Sequence, residues 1–336
     1  MQTQTYLHGI SWDLSRPSHL AMLEALERGV TGGIPTSSQG MSYLLDEVVS
    51  GVAFESFFEE AFLMPSLYSV RGSVSRRERL ASFSGLTKYG VKNPSAQAEE
   101  DENANAYEKD FVHVSYAKKV PIERELVDDQ DWGLLEDIGR QLGIMAQYTM
   151  EEAAAQLFLD ATTGLTYRSE DAAAICSAHT AKDGSTITNN GTSALSMSSI
   201  KTTRTAMRKF TNHRGNLLSI RPNALLVAPD NEETAWEIVR STGRPDTAER
   251  ADNFYRGAFQ LFVWDFLSEA IDNGDDDQWF MLDLRNLAMN LLWFQRVALE
   301  VFGDGNLFSG TRNVGGYYRA SHGIRDYRGI FCQKPA

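Results

Sequence analysis

Few residues in this chain are spaced for chemistry. Ser198 and Lys201 lie three positions apart, as in the S-x-x-K pattern of acyl-transfer enzymes, where the lysine stands beside the nucleophilic serine. The sequence shows no S-D-N or K-T-G partner for this pair, and a serine-rich helix start produces the same spacing by chance. A soluble hydrolase that uses Ser198 and Lys201 is therefore the least favoured interpretation.

The sequence does not contain the residue patterns that metal sites and cofactor sites need. His113 lies in a strand-like stretch and His179 in a predicted loop, and no second His, Cys or carboxylate stands at the spacing of metal ligands. We expect both to be hydrogen-bonded structural residues. The acidic residues 272–277 lack the terminal Glu of a calcium loop, and phosphate-loop and dinucleotide motifs are absent from the sequence. The sequence predicts no catalytic residue, no metal and no cofactor, and hence no enzyme.

Composition indicates an acidic globular protein. The 336 residues are 42% hydrophobic, which suffices for one large domain or two modest ones. The formal net charge of −13 argues against a protein whose main task is to wrap nucleic acid, because that task needs clustered Lys and Arg. Any contact with DNA is expected to be weak and local.

Cysteine usage and hydropathy bear on location. Cys176 and Cys332 have no paired spacing, which indicates structural thiols in a reducing compartment rather than a disulfide framework. The N-terminal residues lack the basic and apolar segments of a secretion signal. Charges interrupt the apolar runs before the roughly 18–20 residues that a membrane-spanning helix needs. We expect an intracellular protein without a membrane partner.

The most informative segment is a polar arm in which opposite charges are separated along the chain. Residues 71–92 contain six Lys or Arg and one Glu, whereas residues 99–110 contain six Asp or Glu and one Lys. A turn sequence, Asn93-Pro94-Ser95, lies between them. The pattern predicts a long β-hairpin whose strands pair with each other or contact a neighbouring subunit. The residues expected at inter-subunit contacts are Arg71, Arg76, Arg77, Arg79, Lys88, Lys92, Glu99, Glu100, Asp101 and Glu102.

A long helix is predicted after the arm. Residues 111–117 alternate like a strand, and Val120-Pro121-Ile122 is expected to restart the chain in a new direction. Apolar residues then recur every three or four positions over residues 128–163, from an N-cap at Asp128 to Gly164. At about 1.5 Å per residue such a helix spans roughly 50 Å.

The second half of the chain reads as a compact α/β domain. A helix is predicted over residues 196–210, followed by a strand at 223–227 and a capping box at 230–233 before another helix. Residues 261–264 and 279–282 are predicted strands. Near the N-terminus, helices are predicted at 17–28 and 41–62, joined by the Gly- and Ser-rich residues 31–40.

Four short stretches stand in a specific order: K-V-P-I-E-R-E-L-V-D-D-Q at 119–130, C-S-A-H-T at 176–180, P-N-A-L-L-V-A-P at 222–229 and Q-W-F-M-L at 278–282. In order and spacing they resemble the major capsid proteins of tailed phages, which have the Hong Kong-type fold, and among these the Mu-like major head subunits. The resemblance covers about residues 65–336 and implies an α+β fold. It implies an N-terminal arm at 1–69, an extended β-hairpin loop at 70–118, a peripheral domain at 119–194 with the spine helix at 128–163, an α/β axial domain at 195–285, and C-terminal strands at 286–336 that return to the peripheral and axial domains.

The resemblance also implies two further features. Some members of the family join subunits by an isopeptide bond between Lys and Asn, for which Lys88 or Lys92 and Asn306 or Asn313 are candidates; ordinary arm charges are the favoured interpretation. Many members carry a longer N-terminal scaffolding segment that a protease removes. Here the helix at 17–28 is expected to fold onto a neighbour or the shell interior.

The sequence as a whole predicts a structural protein. By resemblance it is a major head subunit that assembles as hexamers and pentamers into an icosahedral shell around the double-stranded DNA genome of a tailed phage. Expected partners are further copies of itself, scaffold, portal and decoration proteins, and weakly contacted DNA. The expected location is the virion, after assembly in the host cytoplasm. An encapsulin-like shell around protein cargo is the alternative.

Overall fold

The computed structural model describes most of the chain in two compact units. The described residues are 4–7, 10–13, 49–57, 62–83, 88–89, 91–94, 97, 100, 105–123, 132–243, 252–269, 271, 275–305 and 312–335. The first unit comprises residues 1–62, 114–150 and 296–320, and the second comprises residues 63–113, 151–295 and 321–336. The helix predicted at 17–28 lies outside the described residues.

Helices and strands are mixed along the chain, as the predicted α+β class requires. The helical segments are α1 (residues 49–57), α2 (Met64–Leu67), α3 (Trp132–Leu159), α4 (Met197–Met207), α5 (Glu232–Arg240) and α6 (Leu284–Asn290). The strands are β1 (Gln4–Leu7), β2 (Ile10–Asp13), β3 (Ser69–Gly72), β4 (Arg77–Phe83), β5 (Asn105–Val112), β6 (Val114–Ile122), β7 (Ala178–Thr180), β8 (Thr186–Thr188), β9 (Asn190–Gly191), β10 (Ala224–Val227), β11 (Gln260–Val263), β12 (Trp279–Leu282), β13 (Leu291–Gly305), β14 (Arg312–Ile324) and β15 (Ile330–Gln333).

In the first unit, α1 packs closely against α3. A Cβ atom added at Gly143 would overlap the carbonyl oxygen of Ala53, and one added at Gly139 would lie 3.0 Å from the carbonyl oxygen of Val49. The two glycines are one helical turn apart, so they form a flat strip on α3 against which the α1 backbone rests. An apolar cluster beside this contact contains Val49, Ala53, Ile122, Leu135, Leu142 and Val314.

Strand β6 pairs with β14 in the first unit. The pairing is antiparallel and runs from Val114 opposite Ala320 to Ile122 opposite Arg312. The change of direction predicted at residues 120–122 is therefore wrong, because β6 continues through Pro121. Proline removes a backbone donor, and β6 tolerates it as the edge strand of its sheet.

The second unit is built on a five-stranded sheet with the order β11-β10-β12-β15-β9. Strand β10 is parallel to β11 and antiparallel to β12, which is antiparallel to β15. All residues of β10, β12 and β15 are buried because both faces of the sheet are covered. On one face α4 and α5 share an apolar cluster with Leu225, Val227 and Met281. On the other, Phe158 of α3 meets Phe280 edge-to-face, with ring centroids 5.3 Å apart.

The long helix is shorter than predicted. It covers the 28 residues Trp132–Leu159 rather than 128–163, of which 128–131 lie outside the described residues. At its C-terminal end, the carboxylate of Asp160 accepts hydrogen bonds from the backbone N–H groups of Leu165, Thr166 and Tyr167. Because this carboxylate organises the following loop, residues 160–163 form a turn before Gly164, whose φ is +62°.

The predicted helix caps are partly wrong. The box expected at residues 230–233 does not form: Asn231 precedes α5 without a side-chain cap, and its amide donates instead to the carbonyl of Asp276. A reciprocal capping box lies at α4, where Ser196 and Ser199 satisfy each other's backbone N–H groups. The predicted strands at 223–227, 261–264 and 279–282 correspond to β10, β11 and β12.

A buried carboxylate organises the second unit near α3. Glu151 is 1% exposed, and its two oxygens accept hydrogen bonds from the backbone N–H of Met64, at 2.7 Å, and from Nε1 of Trp264, at 2.9 Å. Burial raises the pKa of Glu151 to about 7, although the two hydrogen bonds act to lower the pKa. The group therefore carries a proton in the folded state at pH values where it is ionised in the unfolded chain.

The Glu151 carboxyl gives stability a definite pH dependence. Its folded pKa exceeds the unfolded value of 4.5, so its contribution is fully present below pH 4.5 and is lost as pH rises through 7. Relative to Glu151→Gln, which cannot ionise, we expect the free energy of unfolding of the native chain to fall by about 3 kcal/mol across this window. Urea titrations of both proteins between pH 4.5 and 8 measure the difference; a pH-independent difference would contradict the assignment.

Substitution of Gly143 tests the contact between α1 and α3. Gly143→Ala places a methyl group against the Ala53 carbonyl and should destabilise the subunit by about 2–3 kcal/mol. Gly51→Ala on α1 is the matched control, because an added Cβ there meets nothing within 4 Å. It should stabilise the subunit by about 0.5–1 kcal/mol through helix propensity. Equal melting temperatures for the two variants would refute the close approach.

Candidate functional site: the charged hairpin

The predicted hairpin is present in the second unit. Strands β4 and β5 pair antiparallel, with Arg77 opposite Val112, Arg79 opposite Asp110 and Ala81 opposite Glu108. The register shifts between Ala81 and Phe83, which indicates a bulge near the outer end of the ladder. The basic strand thus lies directly beside the acidic strand.

Opposite charges meet across this ladder. The Arg79 guanidinium donates from Nε to Asp110 Oδ1 at 2.7 Å and from Nη2 to Oδ2 at 3.0 Å, in a bidentate pair. Glu108 lies 3.2 Å from Arg79, and Arg77 lies 3.3 Å from Asp110. The hydrogen bond from Arg79 lowers the pKa of Asp110 and raises that of Arg79. Arg77 and Arg79 therefore pair with carboxylates on the opposite strand of the same chain.

The tip of the hairpin is exposed wherever it is described. Tyr89 and Val91 are almost fully solvent-accessible although both are apolar enough to pack. Lys88, Lys92 and Glu100 are also exposed, as are Arg71 on β3 and Arg76 before β4. Glu99, Asp101 and Glu102 lie outside the described residues, as does Asn306, whereas Asn313 pairs opposite Pro121 in β14.

A histidine at the end of β5 ties the base of the hairpin to the rest of the second unit. His113 is 6% exposed; its Nε2 lies 2.9 Å from the Ser73 hydroxyl and its Nδ1 lies 3.0 Å from the Ser321 hydroxyl. Ser73 in turn donates to Glu78 at 2.6 Å. The structural interpretation of His113 is confirmed, but its position as a hub between three segments was not predicted.

Alternate residues of β5 point to one face, called the inner face, and contact the body of the second unit. Phe111 packs edge-to-face on Phe294, with centroids 5.2 Å apart, in a cluster with Leu292 and Leu80. Lys109 donates to the backbone carbonyl of Arg168 at 2.6 Å, and burial lowers its pKa. Tyr107 contacts the His213 ring, with centroids 5.5 Å apart. This face is a period-2 signal in the sequence, since Tyr107, Lys109, Phe111 and His113 alternate with more exposed residues.

The residue that Tyr107 contacts belongs to a buried polar network. His213 Nε2 lies 2.9 Å from Glu170 Oε1, and Arg328 Nη1 lies 3.3 Å from the same oxygen. Arg328 also pairs with Asp326 at 2.9 Å and donates to the carbonyl of Thr211. Because Arg328 and Glu170 are both buried, removal of one would leave the charge of the other uncompensated. No sequence spacing connects these residues, which are separated by up to 158 positions.

A second buried pair involves the other histidine considered above. His179 Nδ1 lies 2.8 Å from Asp171, Nε2 lies 3.1 Å from the carbonyl oxygen of Ile175, and the ring stacks on Tyr327. Burial acts to raise the pKa of Asp171, but hydrogen bonds from His179 and Ser169 outweigh it and bring the pKa to about 2. His179 is thus a structural residue, as predicted.

The Ser198–Lys201 pair lies on the exposed face of α4. Both residues line a cleft of about 650 Å³ between α4 and residues 252–255. Arg204 and Arg208 lie on the same face. Among the described residues, no cluster of His, Cys, Asp and Glu could hold a metal ion, and no helix is long and apolar enough to cross a membrane.

Comparison with known proteins decides the family. The family model described as phage capsid protein matches residues 107–333. The chain belongs to the phage capsid protein family. It is a structural protein of the phage shell, and the match includes β5, α3 and the five-stranded sheet.

Solved structures agree in fold at low sequence identity. A chain of the capsid of an empty GTA particle is 13% identical to the present chain, with a TM-score of 0.54. The match covers 81% of the present chain and 89% of the GTA chain. A chain of the mature capsid of bacteriophage PhiM1 is 13% identical with a TM-score of 0.54, and the match covers 83% of the present chain and 88% of the PhiM1 chain. A chain of Microbacterium phage Oxtober96 is 10% identical with a TM-score of 0.52, and the match covers 82% of the present chain and 92% of the phage chain. None of the curated proteins matches the sequence. The Hong Kong-type fold is confirmed.

Replacement of His113 tests the hub at the hairpin base. His113→Ala removes the partner of two buried hydroxyl groups, a loss expected to cost about 1–3 kcal/mol. Amide hydrogen exchange in β4 and β5 should accelerate, because this base holds the hairpin. Val112→Ala, at an exposed position on the same strand, should leave exchange unchanged. Equal exchange rates in His113→Ala and the wild type would show that the hub does not hold the hairpin.

Proposed function

We propose that the capsid protein assembles as hexamers and pentamers into a closed icosahedral shell around the double-stranded DNA of a tailed phage. The observation that carries the proposal is the family match over residues 107–333, which begins within the hairpin and ends at β15. The virion is the location that follows from this family. Assembly in the host cytoplasm and partnership with scaffold, portal and decoration proteins belong to the same proposal.

The hairpin is proposed as an inter-subunit element. Its base is anchored through His113, yet Tyr89 and Val91 at its tip are fully exposed. Exposed apolar side chains on an anchored projection are suited to bury surface on a neighbouring copy. The ten charged residues predicted to contact neighbours remain part of this proposal. Arg77 and Arg79 have in addition the intrachain role described above.

The proposed parts of the subunit keep their predicted boundaries. They are the N-terminal arm at 1–69, the extended loop at 70–118, the peripheral domain at 119–194, the axial domain at 195–285 and the C-terminal strands at 286–336. Contact with packaged DNA is proposed to be weak, because the net charge of −13 disfavours tight binding to phosphate.

Electron microscopy of the purified chain, with sedimentation, tests the proposal. Closed shells or free rings of five and six copies are expected. A stable monomer at every salt concentration would overturn the proposed assembly. It would leave the family assignment intact, since that rests on the sequence match.

Charge reversal on the basic strand tests the role of the hairpin. Arg76→Glu, Arg77→Glu and Arg79→Glu together should weaken assembly and make assembly less dependent on salt concentration. The fold should persist because exposed ion pairs contribute little stability. The control is the exchanged pair Arg79→Asp with Asp110→Arg, which keeps both the intrachain pair and the net charge. Normal shells from the triple variant, seen by microscopy, would remove these arginines from the interface.

A further inference from the structure

Positive charge is concentrated in one part of this acidic chain. Residues 172–229 contain seven Lys or Arg and a single carboxylate, Asp183, although the whole chain carries −13. Three of these cations, Lys201 and Arg204 on one face of α4 and Arg208 at its C-cap, line the cleft described above, with Asp252 as the one carboxylate in the lining. None of the three forms an ion pair within the described part of the chain. We call this surface the basic cleft.

Aromatic rings give the basic cleft an apolar component. The Arg204 guanidinium lies over Phe254, with 5.4 Å between its Cζ and the ring centroid, and within 5.9 Å of the centroids of Tyr255 and Phe259. Phe254 is nevertheless 74% exposed. An arginine held over aromatic rings beside an open apolar ring is a composition typical of interface centres.

A complementary surface exists on α5 of the same unit. The segment 230–237 contains Asp230, Glu232, Glu233 and Glu237 and no cation. Glu233 and Glu237 are one turn apart on the exposed side of the helix, opposite the buried residues Ala235, Ile238 and Val239. Trp236 lies beside them and is 56% exposed. We call this surface the acidic helix face.

We propose that the acidic helix face of one copy docks into the basic cleft of a second copy. Glu233 and Glu237 would meet Lys201 and Arg208, and Trp236 would pack on the exposed ring of Phe254. The charges are complementary, and each surface places a large exposed aromatic side chain among them. The inference rests on the proposed function, because it deepens the assembly proposed there.

The contact differs in kind from a symmetric dimer. It joins two different surfaces, so in a docked pair one copy keeps a free cleft and the other keeps a free helix face for further copies. Such heterologous contacts generate closed rings when the rotation between copies closes, as hexamers and pentamers require. The docked pair would therefore lie within a ring of copies.

Charge exchange tests the proposal on the full chain. Lys201→Glu with Arg208→Glu, and separately Glu233→Lys with Glu237→Lys, should each raise the concentration needed for ring assembly by at least about tenfold. The four substitutions combined should restore assembly close to the wild-type concentration. As the matched control, Glu233→Lys with Glu237→Lys is combined with Lys118→Glu and Lys119→Glu, which equalises net charge at exposed positions of β6 and should not restore assembly.

Disulfide trapping gives an independent readout. Cys176 and Cys332 are buried, so exposed thiols can be introduced at Thr205 in the cleft and at Arg240, the cation that follows the acidic helix face at the end of α5. A mixture of Thr205→Cys and Arg240→Cys subunits should form mixed dimers on oxidation, whereas neither variant alone should. Mixed dimers that persist in the Glu233→Lys, Glu237→Lys background would count against charge-directed docking.

The outcomes separate this inference from the proposed function. If the wild type forms shells and both double charge variants assemble as well as it does, the docking contact is wrong and the capsid assembly stands. If those variants assemble normally while Lys201→Glu with Arg208→Glu loses affinity for a double-stranded DNA fragment in fluorescence anisotropy, the cleft serves phosphate and the inference is overturned. If the wild type forms no oligomer, both proposals fall.

Discussion

A two-stranded hairpin buries too little apolar surface to be stable by itself. The contacts around β5 supply the additional stability that the hairpin needs. The inner face of the strand places Phe111 in an apolar cluster and His113 between the hydroxyls of Ser73 and Ser321. The outer face carries Asp110, which accepts two hydrogen bonds from Arg79. One strand therefore joins the projecting arm to the body through its inner face and to its partner strand through its outer face. The buried inner attachment anchors the arm, since exposed ion pairs such as Arg79 with Asp110 contribute little stability.

Patterns with a short period were predictable from the sequence. The hairpin follows from charge segregation, the long helix from apolar residues at steps of three and four, and strands β10 and β12 from short apolar runs. The predictions were wrong where the effect of one residue depends on its tertiary surroundings. Asp160 ends α3 early because its carboxylate binds three N–H groups of the next loop, and Pro121 remains within a strand because that strand is at an edge.

The parts of the site that were missed depend on pairs distant in sequence. Glu170, His213 and Arg328 meet in one buried network, and the periodicity around each gives no reason to join them. The same holds for Glu151 with Trp264, which are 113 positions apart. Burial of such groups is favourable only when every partner is in place, so they report on tertiary structure rather than on local propensity. A single sequence without comparison carries no signal for them.

The two basic regions of the chain differ in how their charge is satisfied, and this difference bears on assembly. On β4, Arg77 and Arg79 are already paired with Asp110 and Glu108 of the same chain, so carboxylates of a neighbour would share these cations with them. On α4, Lys201 and Arg208 have no such partners in the described part of the chain. Electrostatic attraction between acidic subunits is strongest where a cation has no partner in its own chain. The hairpin therefore offers a neighbour shape, apolar contact and charge that is already partly paired, whereas α4 offers cations without a partner in the described part of the chain.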